Sequence, residues 1–246
     1  MKLKRIFAAV LAAAMLLSFA GCANKDTQGD SSEPAGEQTT EERTTEPQTN
    51  EDGSLVKPKN AVSVSDDVKI KTYSGTSLIE IGNRVMEPYG NAYKNMKAYA
   101  DALNRLKAEM PNTKAYCLMA PTAIEFYAPS KYNTGVSKSQ YEGMCYIYEQ
   151  LKDITPVNAY AEMAAHTDEY LYFRSDHHWT TLGAYYAYRT FAKVAGFTPV
   201  DKNTLRTGKL SPFLGLFYKD TKSTALSNDP DYVEYFIPPV NTTAIA

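Results

Sequence analysis

The chain has 246 residues, of which 43% are hydrophobic and 22% are charged, and its formal net charge is −2. Length and composition indicate one secreted globular domain with appended segments. The slightly negative charge and the lack of a basic stripe exclude a typical nucleic-acid-binding protein.

The first segment, residues 1–21, is predicted to be a secretory signal peptide. Basic residues at 2–5 precede an apolar run at 6–19, which is too short for a permanent membrane-spanning helix. The segment 18–22 resembles a bacterial lipobox, with phenylalanine in place of the more usual leucine. We expect lipid on Cys22 to anchor the protein to the outer face of the cell membrane. The alternative is ordinary cleavage that leaves a free cysteine.

Residues 22–60 are predicted to form a disordered, mildly acidic tether. They are mostly Thr, Glu, Gln, Ser, Gly and Pro, with almost no apolar residues. Such a segment buries too little surface to offset the entropy of ordering. A flexible coil of about 38 residues spans roughly 35 Å, which would hold the domain at 61–246 away from the membrane.

The domain is predicted to begin with a hairpin, in which Ser74-Gly75 joins strands at 68–73 and 77–81. A long helix ended by Pro111-Asn112 follows. Its predicted apolar face has residues four and three apart: Ala92, Met96, Tyr99, Leu103, Leu106 and Met110. The next predicted elements are a strand at 114–120, a helix at 139–152, a strand at 155–160 and helical turns at 161–166. This alternation predicts an α/β fold with a parallel sheet flanked by helices.

Two cysteines lie in these predicted elements, Cys117 in a core strand and Cys145 on a helix face. Outside the cell they could form one disulfide. They could equally be two small buried hydrophobic residues. Neither has the basic or helix-N-terminal setting that makes a cysteine nucleophilic.

The stretch 174–181 contains two of the three histidines and the only tryptophan. Before it, residues 170–174 alternate and are rich in aromatics, which predicts a half-buried strand. After it, a helix is predicted with Thr180 or Thr181 as N-cap and Gly196 just past its end. A strand that leads through a short polar turn into a helix is a common place for catalytic residues in α/β proteins.

Asp176 and His178 are the candidate catalytic residues of this stretch. In an extended segment, residues two apart point to the same face and lie roughly 6–7 Å apart. A slight turn would let the carboxylate accept a hydrogen bond from the imidazole, as the orienting acid and the base of a nucleophilic triad do. His177 would then point to the opposite face.

Two other interpretations of this stretch remain open. Asp176 and the histidines could bind a metal, but adjacent side chains diverge and no further histidine is near, so we expect neither a metal nor a cofactor. Alternatively, the stretch could be purely structural, capping the helix and filling a core.

The segment 172–185, with Asp-His-His-Trp at 176–179, resembles the signature of the DHHW protein family. That family resembles the alginate O-acetyltransferase-like branch of the SGNH (GDSL-type) hydrolases. The similarity extends more loosely from about residue 66 to 239, and segments 211–218 and 231–235 share it.

The resemblance implies an SGNH/flavodoxin-like three-layer fold, incomplete at its C-terminus in this chain. It implies Asp176 and His178 as two members of a triad, and we expect Arg174, His177 and Trp179 to support them. The family's nucleophile is a serine in an Asp-Ser block downstream of the motif, and no such block occurs before Ala246. We therefore expect this chain to be inactive by itself.

The function expected from the resemblance is serine acyl transfer, as an O-acetyltransferase or acetyl esterase, on an extracellular polysaccharide or cell-wall polymer. A membrane O-acyltransferase would supply the acetyl group. Alternatives are a non-catalytic glycan-binding lipoprotein of the same fold and a metal-dependent hydrolase that uses Asp176 and one histidine. Among nineteen tyrosines, Tyr127 and Tyr132 are the first candidates for substrate contacts, although core packing is the alternative for each.

Overall fold

The computed structural model describes residues 48–49, 55–90, 92–132 and 139–239. The predicted signal peptide, Cys22 and most of the predicted tether lie outside the described residues. Strands β1 (Gln48–Thr49) and β2 (Leu55–Val56) pair antiparallel within the segment predicted to be a tether. Lys57, also in that segment, forms an ion pair with the buried Glu125, at 2.6 Å. These contacts involve residues of the predicted tether, and composition does not reveal them; the tether boundary at residue 60 stays a prediction.

The predicted hairpin is confirmed and gains a third strand. Strands β3 (Ile70–Thr72), β4 (Ile79–Ile81) and β5 (Arg84–Met86) form an antiparallel sheet in that order. β5 is tied to the motif, since the Val85 N–H donates to the Arg174 carbonyl at 2.9 Å. This small sheet thus forms one wall beside the Asp-His-His-Trp stretch.

The long helix is present as α1 (Tyr93–Glu109), but its predicted apolar face is only partly buried. Met96 and Ala100 are its buried residues, whereas Tyr99 and Leu106 are exposed. The buried residues lie on the side of α1 that packs against the later helix α3 (Gln140–Glu149). The buried face of α1 is therefore rotated from its predicted position.

A small parallel sheet lies at the centre of the fold, as predicted. Strand β6 (Ala115–Met119) pairs in parallel with β7 (Ile154–Asn158). Two short helices frame this pair, α2 (Ile124–Tyr127) after β6 and α4 (Tyr160–Ala164) after β7. The result is a mixed α/β fold with a small parallel sheet flanked by helices.

The strand predicted at 170–174 is wrong. In its place, a single antiparallel bridge joins Tyr172 to Trp179, so the motif is a closed loop and not a further strand of the parallel sheet. Helix α5 (Thr181–Ala195) follows the loop and has the predicted ends. Thr180 Oγ1 accepts from the Gly183 N–H at 3.3 Å, and Gly196, with φ 82°, ends the helix in the left-handed conformation.

The last part of the described chain is a long hairpin with two helices in its connection. Strand β8 (Arg206–Phe213) pairs antiparallel with β9 (Asp231–Ile237). Between them lie α6 (Leu216–Thr221) and α7 (Thr224–Asn228). This connection brings the N-terminus of α6 to the motif loop, and helix α5 packs against β9.

The main core lies between the parallel sheet and the helices and is rich in aromatics. Phe126, Tyr141, Tyr160 and Tyr172 are among its largest fully buried side chains. Cys117 and Cys145 are buried and unpaired, in line with the small-hydrophobic alternative, and burial raises the pKa of the Cys145 thiol to about 11. Within the described ranges, no helix has the length and apolar character that crossing a membrane requires.

Candidate active site

The motif forms a tight loop that closes immediately before helix α5. The Phe173 N–H donates to the His178 carbonyl at 3.2 Å, and the Thr180 N–H donates to the Leu171 carbonyl at 2.8 Å. These two bonds hold the ends of the loop together like those of a hairpin. The residues between them are turned, so the two-residue alternation of an extended strand does not apply to them.

The carboxylate of Asp176 is held at both oxygens. Oδ1 accepts from the His178 N–H at 3.0 Å and from the His178 ring Nδ1 at 2.6 Å. Oδ2 accepts from the Leu216 N–H, at the start of α6, at 3.0 Å. The contact between Asp176 and His178 that the sequence predicts is therefore present, but a turn produces it and strand parity does not.

The same contacts set the charge of Asp176. Burial by itself would raise the pKa of this carboxyl group, because Asp176 is only 8% exposed. The hydrogen bonds from Leu216 and His178 outweigh burial and hold the pKa below its usual range. An ionised carboxylate accepts but does not donate, so the proton in the contact lies on His178 Nδ1.

The other ring nitrogen of His178 is open. The side chain is 65% exposed, and no group in the described part of the chain hydrogen-bonds Nε2. With Nδ1 protonated, the neutral ring presents Nε2 as an acceptor to solvent. This is the arrangement that a general base needs before its substrate binds.

His177 does not point away from the pair, and that prediction is wrong. Its Nδ1 lies 3.6 Å from Asp176 Oδ1, and its ring centroid lies 3.9 Å from that of His178. The turned loop places both imidazoles on one side of the carboxylate. The argument that adjacent histidines diverge fails for the same reason.

These three residues offer a possible metal-ligand set. One ligand atom from each of Asp176, His177 and His178 falls within 4.8 Å of the other two, and both imidazoles are exposed. Imidazole and carboxylate ligands suit zinc and related transition metals. The expectation that no metal binds stays a prediction.

Asp231, which the sequence did not single out for a role, anchors the motif loop. It is buried in β9 and accepts from the Ser175 N–H at 2.7 Å and the Ser175 hydroxyl at 2.5 Å. It also accepts from Arg174, through the backbone N–H at 3.0 Å and Nε at 3.0 Å, and from the Tyr170 hydroxyl. Burial would raise the pKa of Asp231, but these bonds from Ser175, Tyr170 and Arg174 lower it below its usual range.

Gly215 allows the start of helix α6 to approach Asp176 closely. Its N–H donates to Ser175 Oγ at 2.9 Å, and a Cβ on Gly215 would lie 2.4 Å from Asp176 Cβ. No side chain fits at that distance, so the close approach of α6 to the loop requires glycine. The only sequence signal for Gly215 and Asp231 was the resemblance of segments 211–218 and 231–235.

The predicted supporting residues have structural contacts. Arg174 pairs with Asp231 and with the exposed Asp229, and it donates to the Pro230 carbonyl at 3.1 Å. Trp179 is half-buried against the main core and bridges to Tyr172. Both residues therefore hold the loop in place through contacts outside the Asp176–His178 pair.

The two tyrosines proposed for substrate contacts pack against the core. The Tyr127 ring lies under the Arg84 guanidinium at 4.2 Å, and burial raises the pKa of Tyr127 to about 12. Tyr132 is half-buried, with Lys131 Nζ 5.6 Å from its ring centroid. Neither lines the cavities beside His177, and their role toward substrate stays a prediction.

Three of the four described serines near the motif and after it have other hydrogen-bond partners, and the fourth, Ser211, is exposed in β8. Ser175 is buried between Asp231 and Gly215, and Ser223 donates to Glu80 while it caps α7. Ser227 donates to the Thr224 carbonyl at 3.2 Å, and Ser211 lies within β8. None of these hydroxyls is hydrogen-bonded to His178.

Comparisons with known proteins agree with the resemblance that the Asp-His-His-Trp motif carries. Residues 46–246 match the family model described as DHHW protein, and no curated protein is significantly similar. The chain is similar to a DHHW family protein of known structure from Eubacterium siraeum, with 31% identity and a TM-score of 0.62. That match covers 70% of this chain and 57% of the other, so this chain spans less than two thirds of it. The O-acetyltransferase domain of AlgJ from Pseudomonas putida is also similar, at 14% identity and TM-score 0.46, over 70% of this chain and 66% of that one. This second likeness is too weak to support an argument.

Proposed function

Because the chain belongs to the DHHW protein family, we propose that its motif loop is the acid–base half of a serine acyl-transfer site. Asp176 orients the His178 ring and supplies a negative charge beside it, and His178 is the general base. The observation that carries the proposal is the 2.6 Å contact of Asp176 Oδ1 with His178 Nδ1, combined with an open Nε2. The proposed substrate is an extracellular polysaccharide or cell-wall polymer, to which O-acetyl groups are attached or from which they are removed.

The chemistry follows the usual order of acyl-enzyme catalysis. His178 Nε2 takes the proton of a serine hydroxyl as that oxygen attacks the acetyl carbonyl, and Asp176 stabilises the imidazolium that forms. The imidazolium then returns the proton to the leaving oxygen. In the second step His178 deprotonates the acceptor, and either a sugar hydroxyl or water accepts the acetyl group. We place the nucleophilic serine outside the described residues, because none of the described serines near the motif or after it is hydrogen-bonded to His178.

Placement outside the cell belongs to the same proposal. Lipid on Cys22 would hold the protein at the outer face of the membrane, where polymer substrates are found. A membrane O-acyltransferase is the proposed source of acetyl groups for the transferase reaction. The lipobox-like segment 18–22 supports this placement.

The test is labelling of the complete gene product with a fluorophosphonate probe, combined with turnover of an acetyl ester. We expect His178→Ala and Asp176→Ala to lower both by about a thousandfold or more, whereas His177→Ala should retain most of the activity. Labelling of Ser211, Ser223 or Ser227 that depends on His178 would contradict the proposed origin of the nucleophile. An inactive His177→Ala variant beside an active His178→Ala variant would reverse the roles of the two histidines.

A metal-dependent hydrolase is the second candidate, favoured by the ligand atoms of Asp176, His177 and His178 within 4.8 Å of one another. A bound metal ion would make water nucleophilic and no serine would be required. Metal analysis of the purified protein distinguishes the two candidates. Bound zinc that is lost together with the activity in His177→Ala supports the hydrolase, and activity that survives chelation supports acyl transfer.

A further inference from the structure

Two cavities adjoin at His177, beside the proposed catalytic residues. One has a volume of about 210 Å³ and the other of about 370 Å³. Glu87, His177 and Phe217 line both of them. We call these adjoining spaces the His177 groove, and it lies next to His178 because the two imidazole rings are in contact.

The charged side chains that line the His177 groove are acidic. Glu87 is exposed and belongs to both cavities, and Asp220 of helix α6 is exposed in the larger one. Among the described residues that line the two cavities, none is a lysine or an arginine. A ligand in the groove therefore meets two carboxylates without a permanent positive charge to offset them.

The rest of the lining suits a sugar polymer. Pro88 and Tyr89 provide half-buried apolar surface in the smaller cavity, and Thr76 and Ser77 provide hydroxyl groups in the larger one. Apolar surface next to a few polar groups matches the mixed faces of a sugar ring. Two adjoining cavities also suit successive units of a chain.

We propose that the His177 groove selects a glycan that carries amino groups and disfavours glycans rich in carboxylate or phosphate. This inference rests on the proposed function, which makes the ligand a glycan, and it adds the charge class of that glycan. Ammonium groups near Glu87 and Asp220 gain Coulomb attraction, whereas anionic units are repelled. The groove thus determines which polymer is brought to His178.

The experiment measures binding, so it does not depend on the presence of a nucleophile. Calorimetric titration compares three hexasaccharides: glucosamine, which is cationic, N-acetylglucosamine, which is neutral, and mannuronate, which is anionic. We expect glucosamine to bind most tightly and mannuronate least tightly. Each exposed carboxylate should contribute about twofold to fivefold in affinity, and this contribution should shrink as salt is added.

Matched variants locate the effect. Glu87→Gln combined with Asp220→Asn should abolish the preference for glucosamine over N-acetylglucosamine. Glu109→Gln is the control, because Glu109 is exposed at the end of α1 and lines neither cavity. It should leave the preference unchanged. All three substitutions replace exposed side chains, so we expect them to retain the fold.

The outcomes distinguish a failure of the groove inference from a failure of the acyl-transfer proposal. Preference for mannuronate, a preference that survives in the double variant, or no binding of any hexasaccharide overturns the inference. If the probe and ester assays succeed while mannuronate is preferred, only the charge assignment falls. If those assays fail while glucosamine binds through Glu87 and Asp220, the groove stands and the acyl-transfer proposal falls.

Discussion

At the scale of single residues, Asp231 does most to hold the motif loop. Its buried carboxylate accepts hydrogen bonds from Ser175, Arg174 and Tyr170. We expect Asp231→Ala to lower the free energy of unfolding by about 3 kcal/mol, because it leaves buried donors and the Arg174 charge without a partner. Urea denaturation measures the loss.

A matched control is available for this prediction. Asp229 also pairs with Arg174, but its side chain is exposed. Asp229→Ala should change stability little, since surface ion pairs contribute little. Equal losses in the two variants would contradict the anchoring role of Asp231.

The pKa values of Asp176 in the motif and of Asp231 in β9 also predict how stability varies with pH. Despite burial, hydrogen bonds hold the pKa values of Asp176 and Asp231 below the usual range in the folded protein. A depressed folded pKa contributes stability that is present above the unfolded value of about 3.9 and is lost as pH falls through the folded value. We expect the free energy of unfolding to decrease as the solution is acidified below about pH 5, with a shallower decrease in Asp231→Asn. An equally steep decrease in that variant would contradict the assignment.

Sequence reasoning identified some of these residues and missed others for a physical reason. Asp176 and His178 are two positions apart, so their contact follows from local geometry. Asp231 contacts Ser175 across 56 positions, and only the tertiary fold brings them together. His177 was misplaced because its direction depends on whether the loop is extended or turned.

At the scale of elements, the junction of Gly215 with helix α6 sets the position of Asp176. The Leu216 N–H binds Asp176 Oδ2, and the space for an added methyl group at Gly215 is already occupied by Asp176. We expect Gly215→Ala to displace the carboxylate and to lower acyl transfer by about a hundredfold, since a shift of about 1 Å has that effect on a catalytic geometry. Ester turnover by the complete gene product measures it.

The control for this substitution is Gly90→Ala. An added methyl group at Gly90 would have nothing within 4 Å, so this variant should keep the stability of the parent protein. Full activity in Gly215→Ala would show that the approach of α6 is not required for the site.

The elements themselves were predictable where local signals determine them. Helix α5 has both of its predicted caps, because a threonine hydroxyl and a glycine determine helix ends locally. The strand predicted at 170–174 does not form, although the segment has the alternation on which the prediction was based. Tyr172 packs into the core and Tyr170 binds Asp231, but the chain folds back through the Tyr172–Trp179 bridge and does not join the parallel sheet. Alternation reports two-sided packing and does not identify a partner strand.

At the scale of the whole molecule, the proposed placement outside the cell depends on Cys22. We expect metabolic labelling with a fatty-acid analogue to modify the parent protein and not the Cys22→Ala variant. The reason is that lipid attachment to a lipobox requires the cysteine thiol. Labelling that survives the substitution, or that is absent from the parent protein, would contradict the lipoprotein assignment.

The central claim for the molecule is that Asp176 fixes His178 with a proton on Nδ1 and an open Nε2. Nitrogen-15 NMR of the histidine rings tests it directly, in mildly alkaline solution where an ordinary histidine is neutral. The account predicts the Nδ1–H tautomer for His178, with Nε2 unprotonated, and a mixture of tautomers in Asp176→Ala. An Nε2–H tautomer in the parent protein, or a ring unaffected by Asp176→Ala, would contradict it.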